Sequence, residues 1–285
     1  MQRISNTIRL AKASWAVLKA DKELLALPVI SAIATALVAI TFLAPIFAIS
    51  GFKTEDLGLV DYVLLGVMYV TLAYITIFFN AALVHAADER LNGGDPTLRT
   101  AIAGAWSKAG RILPWAIISA TVSLILRAVE ERAGFVGQIV VGLVGIAWAL
   151  VTFLVIPILV LEDIRVVDAI KRSGSLFKQT WGENVAAQFG FGILGFIAAL
   201  PAIAIGALGI AAGGVTAGVA IVFAVLWIAL VAVVLSCLNA IFQAALYHYA
   251  VAGETPGDYF PQSTFSSAFA PRKRRGLGGG AGGGF

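Results

Sequence analysis

One cysteine and two histidines are all that 285 residues offer of the common soft metal ligands. Cys237 alone allows neither an intrachain disulfide nor a multi-cysteine metal cluster. Charge is just as scarce, since Lys, Arg, Asp and Glu make up 13% of the chain where a soluble domain carries about a quarter. Motifs of common active sites are missing too: there is no H-E-x-x-H, no G-x-S-x-G and no G-x-x-x-x-G-K-[ST]. Gly190-Phe191-Gly192-Ile193-Leu194-Gly195 has the spacing of a dinucleotide-binding turn. No strand precedes it and no acidic residue follows at the distance that ribose binding needs, so close helix packing accounts for it better. The same reading applies to Gly209 to Gly213 and Gly214 to Gly218, both spaced G-x-x-x-G.

Apolar residues fill the space that charge leaves. Hydrophobic side chains are 60% of the sequence, mean hydropathy is +0.93, and the composition is that of a chain solvated by lipid. Six runs are long enough to span a bilayer: Leu24 to Ala48, Tyr62 to Val84, Ile112 to Val129, Phe135 to Leu161, Val185 to Ile210, and Ala217 to Tyr247. Among 20 basic and 16 acidic residues, only Arg127 falls inside these limits, and its place near a span end lets the guanidinium snorkel to the interface. The expected fold is all-α: a polytopic bundle of six transmembrane helices in three hairpins, with amphipathic interfacial helices between them.

Basic residues set the orientation. Arg3, Arg9, Lys12, Lys19 and Lys22 precede the first span, and Arg90, Arg99, Lys108 and Arg111 separate the second from the third. Arg165, Lys171, Arg172 and Lys178 separate the fourth from the fifth, and Arg272, Lys273, Arg274 and Arg275 follow the sixth. The opposite loops are short and hold Lys53 and Arg132, so the positive-inside rule places both termini in the cytoplasm. This distribution explains the net charge of +4 as topology and gives no reason to expect nucleic acid. The first 23 residues carry too many charges, and the run after them is too long, for a cleavable signal. The first span is therefore expected to be an uncleaved anchor. A tail over residues 254–285 is basic and then glycine-rich, with disorder expected from about residue 272.

Mixed apolar and basic segments lead into each odd-numbered span. They are residues 1–23 with Trp15, residues 97–112 with Trp106, and residues 165–181 with Trp181. In the first, Ile4, Ile8, Ala11, Trp15 and Leu18 share one stripe, the pattern of a helix on a membrane surface; a solvated connector is the plainer alternative. Asp95 is the expected N-cap of the second, with Pro96 at its first position. Phe79-Asn80-Ala81-Ala82-Leu83-Val84-His85 is matched by Phe242-Gln243-Ala244-Ala245-Leu246-Tyr247-His248. That match points to three parallel units with the middle one diverged, against chance likeness of Ala- and Leu-rich segments.

Polar groups inside the spans are the candidate functional residues, because lipid offers them no partner. Ser236, Asn239, Gln243 and Tyr247 make one stripe, Thr76 and Asn80 a shorter one, and both are expected to face the bundle interior. They serve either as interhelical hydrogen bonds or as a pathway. Trp15, Trp106, Trp181 and the Arg272 to Arg275 cluster (Arg272, Lys273, Arg274, Arg275) are candidates for contact with anionic lipid or with a membrane-protein partner. His85 and His248, with Asp88 and Glu89 nearby, lack a diagnostic ligand spacing, so neither a metal nor another cofactor is expected. No nucleophile, base and oxyanion donors can be assembled, so the protein is not expected to be an enzyme.

Ser14-Trp15, Leu18, Asp21, Glu23-Leu24-Leu25 and Pro28, with Ala82-Leu83 and Gly94-Asp95-Pro96, resemble an uncharacterised family of six-span bacterial membrane proteins, a domain of unknown function. The resemblance covers most of the chain to about Ala270. It implies a multi-pass protein of the bacterial cytoplasmic membrane and supplies no active residues. The layout is also loosely similar to the sulfate-permease CysZ family and to the membrane domain attached to some glycerophosphodiester phosphodiesterases. Two functions follow as expectations: non-enzymatic solute transport or lipid handling, and, alternatively, a scaffold, accessory subunit or homo-oligomer of a membrane complex.

Overall fold

The computed structural model describes residues 2–50, 58–180, 190–254, 257, 259 and 260. Among these the regular structure is helical. Helix α1 (Gln2–Ala20) leads through a 3-10 turn (Lys22–Leu25) into α2 (Ala26–Ser50), and α3 (Leu59–Leu91) returns. Helices α4 (Leu98–Ser107), α5 (Ala109–Arg132), α6 (Phe135–Thr152) and α7 (Val155–Leu161) follow, then α8 (Val166–Thr180), α9 (Gly190–Ala212) and α10 (Gly214–Ala252).

Six stretches are long and apolar enough to cross a membrane: Lys22–Phe47, Leu59–Leu91, Ala109–Arg132, Phe135–Leu161, Gly195–Ala212 and Gly214–Ala252. The protein is a multi-pass helical membrane bundle, as its composition demands. A helix satisfies every backbone group within its own segment, which lipid requires. The second and sixth spans, α3 and α10, run past the expected limits: the end of α3 buries Ala86, Ala87 and Leu91, whereas α10 ends half-buried at His248 to Ala250 and exposed at Val251 and Ala252.

The fourth span is broken at Phe153. Pro157 has no N–H for the Phe153 carbonyl and its ring crowds that carbonyl, so α6 stops and α7 restarts from the Leu154 carbonyl. Ser173 of α8 closes the gap: its hydroxyl donates to the Val151 carbonyl at 2.5 Å and accepts from the Leu154 N–H at 3.2 Å.

Packing is concentrated on the side that holds α1, α4 and α8, termed the basal side. Each of these helices lies on the second span of the preceding hairpin: α4 on α3, α8 on α6 and α7, and α1 on α10. The basal ends of α3, α7 and α10 meet at the centre. This cyclic arrangement accounts for the three sequence units. In α4 the close approach depends on Gly104, where a Cβ would meet the His85 ring at 2.1 Å. In the third hairpin, Gly209 lets α9 approach α10, since a Cβ there would meet that of Ala220 at 2.0 Å.

The far halves are different. Helix α6 has no buried residue, and α10 between Gly214 and Val234 buries only Ala224. The apolar side chains of these stretches are left for lipid.

Helix α1 uses two adjacent faces. Leu10, Ala13, Ser14 and Val17 are buried against the bundle, while Ile8 and Trp15 of the predicted surface stripe stay exposed; Leu18 is buried. The start of α4 differs from the expectation: Thr97, not Asp95, is the N-cap. Its hydroxyl accepts the Thr100 N–H at 3.2 Å, and its own N–H donates to the Thr100 hydroxyl. Asp95 instead pairs with Arg90 at 2.6 Å.

Candidate functional site

The polar residues that the fold gathers lie at the basal hub. Setting Phe79 of α3 against Phe153 and Phe242 aligns the three second spans, and the Phe153 and Phe242 rings are in contact at 6.2 Å between centroids. The alignment carries Asp88-Glu89 onto Glu162-Asp163 and, in α10, onto Val251-Ala252. Units one and two thus end in a carboxylate pair, whereas unit three has none.

Unit three supplies donors instead. His248 Nε2 lies 2.5 Å from Asp88 Oδ1, and the Tyr247 hydroxyl donates to Glu162 Oε1 at 3.0 Å. Arg172 of α8 donates to the same Glu162 oxygen at 2.6 Å, and Glu162 holds the Arg172 guanidinium pKa above its ordinary value. Asn92 adds a weak bond to Asp88 at 3.2 Å.

Two further clusters staple the periphery. Arg90 pairs with Asp21, which ties the last turn of α3 to the linker after α1, and also reaches Asp95. Asp163 accepts from Arg111 and from Lys108 at 2.9 Å, and these two cations hold its carboxyl pKa well below the usual carboxylate range.

The predicted intramembrane stripes do not form one lining. Thr76 is exposed and donates to the Leu72 carbonyl of its own helix at 2.9 Å. Ser236 and Asn239 are half-buried. Gln243 is buried, and its Oε1, like Oδ1 of Asn80, has no hydrogen-bond partner. These two amides occupy matched places in the repeat, so the same unsatisfied acceptor recurs in units one and three. Tyr247 is engaged by Glu162.

The two histidines part company: His248 meets Asp88, while His85 packs on Gly104. Among the described residues no three metal-ligating side chains come together. Trp15 and Trp106 are exposed, with Trp106 also edge-on to Phe78. Trp181 and the Arg272 to Arg275 cluster lie outside the described residues.

Sequence reasoning passed over Glu162, and it read Asp21 only as part of a family resemblance and Arg172 only as a topology charge. A signal for Glu162 was present, because the Phe79-to-Phe153 offset places it on Asp88. The mixed charge of the loops concealed it.

No curated protein and no solved structure gives a significant match to the chain. A family pattern does match, over residues 59–257, from the start of α3 to just past α10; it includes the Gly94-Asp95-Pro96 turn but not the Ser14 to Pro28 segment. The chain therefore belongs to DUF6159, a family of unknown function.

Proposed function

We propose that this protein is a non-enzymatic membrane protein that handles lipid at the bacterial cytoplasmic membrane, with the basal side and both termini in the cytoplasm. The observation that carries this reading is the uneven burial. The hairpins join tightly at their basal ends, whereas the far half of α6 packs on its own hairpin partner and exposes apolar surface along its length. In a bilayer such surface is covered by acyl chains, which can enter between hairpins held together only at one end.

The basal face complements an anionic leaflet. Lys12 and Lys19 of α1, Arg99 of α4, and Lys171 and Lys178 of α8 are exposed, and each basal helix places them close to exposed apolar side chains such as Trp15, Trp106 and Val167. Charges near such a surface contribute about 1 kcal/mol each. A solute pathway has less support than lipid handling, because Thr76 points away from the bundle and Gln243 sits within packed protein.

The test is lipid translocation in proteoliposomes that contain an anionic phospholipid and a trace of fluorescent phospholipid, quenched from outside. Loss of fluorescence beyond the outer-leaflet fraction supports lipid handling. A plateau equal to that of protein-free vesicles overturns it.

The ion-paired, tightly packed basal hub favours a second reading as a scaffold for a membrane complex. In that case deleting residues 272–285 abolishes copurification of the partner, and undiminished recovery counts against it.

A further inference from the structure

We propose that Tyr247 and His248 form a two-pronged latch by which the third hairpin is held to the first two, and that releasing it opens the basal end of the bundle. The inference goes beyond lipid handling and does not depend on it. Consecutive residues on a helix point about 100° apart, so one dipeptide of α10 reaches two neighbours. His248 takes Asp88 at the end of α3, and Tyr247 takes Glu162 at the end of α7. The two carboxylates are equivalent in the repeat, and the matching position of α10 is the apolar Val251. At these matched helix ends units one and two present carboxylate acceptors, and α10 of unit three presents Tyr247 and His248 to them.

Small side chains are frequent on the two helices that His248 and Asp88 join. Ala81, Ala82 and Ala86 of α3 and Ala240, Ala244 and Ala245 of α10 are all fully buried. Methyl groups allow close approach, Leu83 and Ile241 are buried next to them in sequence, and within lipid no hydrophobic driving force holds helices together. Hydrogen bonds to charged groups therefore weigh heavily in the closed state. Water can reach them: the His248 and Asp88 side chains are 22% and 20% exposed. A competing ion or partner can thus take either carboxylate without first dismantling the core. Arg172 and Asn92 stay with Glu162 and Asp88 when α10 leaves, so neither carboxylate is stranded.

The chain carries its own reporter. Cys237 is its one cysteine, fully buried on α10, with the thiol directed at the Leu24 carbonyl at 3.6 Å. It lies about 16 Å along the helix from His248 at 1.5 Å per residue. Separation of α10 from the basal hub uncovers it.

The experiment is the rate of N-ethylmaleimide modification of Cys237 in the full chain, in detergent and in liposomes. Variants are His248→Asn, Tyr247→Phe, Asp88→Asn and the exchange Asp88→His with His248→Asp. Loss of one charge-assisted bond is expected to raise the rate about tenfold, and the exchange to return it towards wild type. Size-exclusion profiles identify variants that fail to fold, and the exchange then decides alone. Unchanged modification in all folded variants overturns the latch. So does acceleration that the exchange leaves uncorrected, since that signals general loosening. Because this readout needs no transported species, a working latch in a protein that moves no lipid removes the lipid reading and keeps the latch.

Discussion

Ser173 supplies to Leu154 the hydrogen bond that the proline-broken fourth span cannot. The Leu154 N–H donates to the Ser173 hydroxyl at 3.2 Å, and that hydroxyl in turn donates to the Val151 carbonyl at 2.5 Å. Both Ser173 and Leu154 are buried, so the break is sealed by protein and not by water. Helix α8, strongly amphipathic in sequence, is thereby fastened to the bundle along one face while its basic face stays exposed.

Removing that hydroxyl exposes its value. Ser173→Ala leaves the Leu154 N–H without a partner and is expected to cost about 1–3 kcal/mol. Thr at the same position keeps the hydroxyl and should cost less. Thermal unfolding in detergent measures both, and a Ser173→Ala midpoint equal to wild type would show that the break needs no seal.

Gly104 and His85 form a steric pair. Gly104→Ala puts a methyl group into the imidazole and is expected to destabilise by about 1–3 kcal/mol through overpacking. Adding His85→Ala relieves the clash, so the double variant should be more stable than Gly104→Ala alone. Additive losses in a double-mutant cycle would break the link between these positions.

Gln243 and Asn80 are expected to respond in the opposite direction. Each holds a buried carbonyl oxygen without a partner, and such an atom bears the cost of desolvation with no compensating bond. Gln243→Met and Asn80→Leu should therefore leave stability unchanged or raise it by about 1 kcal/mol. A marked drop in the unfolding midpoint would mean that these oxygens hold something that the apolar replacements displace.

Asp163 gives the protein an acid-side dependence. Arg111 and Lys108 depress its folded pKa, so the stability it contributes is fully present above the ordinary carboxylate pKa and is lost as pH falls below that range. The carboxylate is solvent-exposed, so salt should weaken the effect. Unfolding midpoints measured down a pH series should fall less steeply for Asp163→Asn than for wild type, and identical slopes would rule the contribution out.

Topology is open to direct labelling. In a Cys237→Ala background, Ser5→Cys and Glu254→Cys, introduced one at a time, should react with a membrane-impermeant maleimide from the same face of a vesicle. Reaction from opposite faces would require an odd number of crossings.

Much of this architecture could be read from the chain in advance. Fourth-span limits of Phe135 to Leu161 coincide with the structure, because lipid punishes both a charge and an unsatisfied backbone along that run. The repeat was legible in Phe79 to His85 and Phe242 to His248, where spacing and composition agree. The N-cap of α4 was misplaced by two residues, since Asp95 and Thr97 are both good caps and only the Arg90 ion pair withdraws Asp95.

Sequence alone determined that the chain is helical and that six of its stretches are apolar enough to lie in lipid. Those properties depend on solvation, which each segment experiences separately. Tertiary structure decided which polar groups find one another. His248 and Asp88 are 160 residues apart, and the matched Asn80 and Gln243 stay unpaired while their neighbours bond. The rotation of each helix about its axis and the depth at which it docks settle such choices, and both are set by packing against other helices, with no local pattern to announce them.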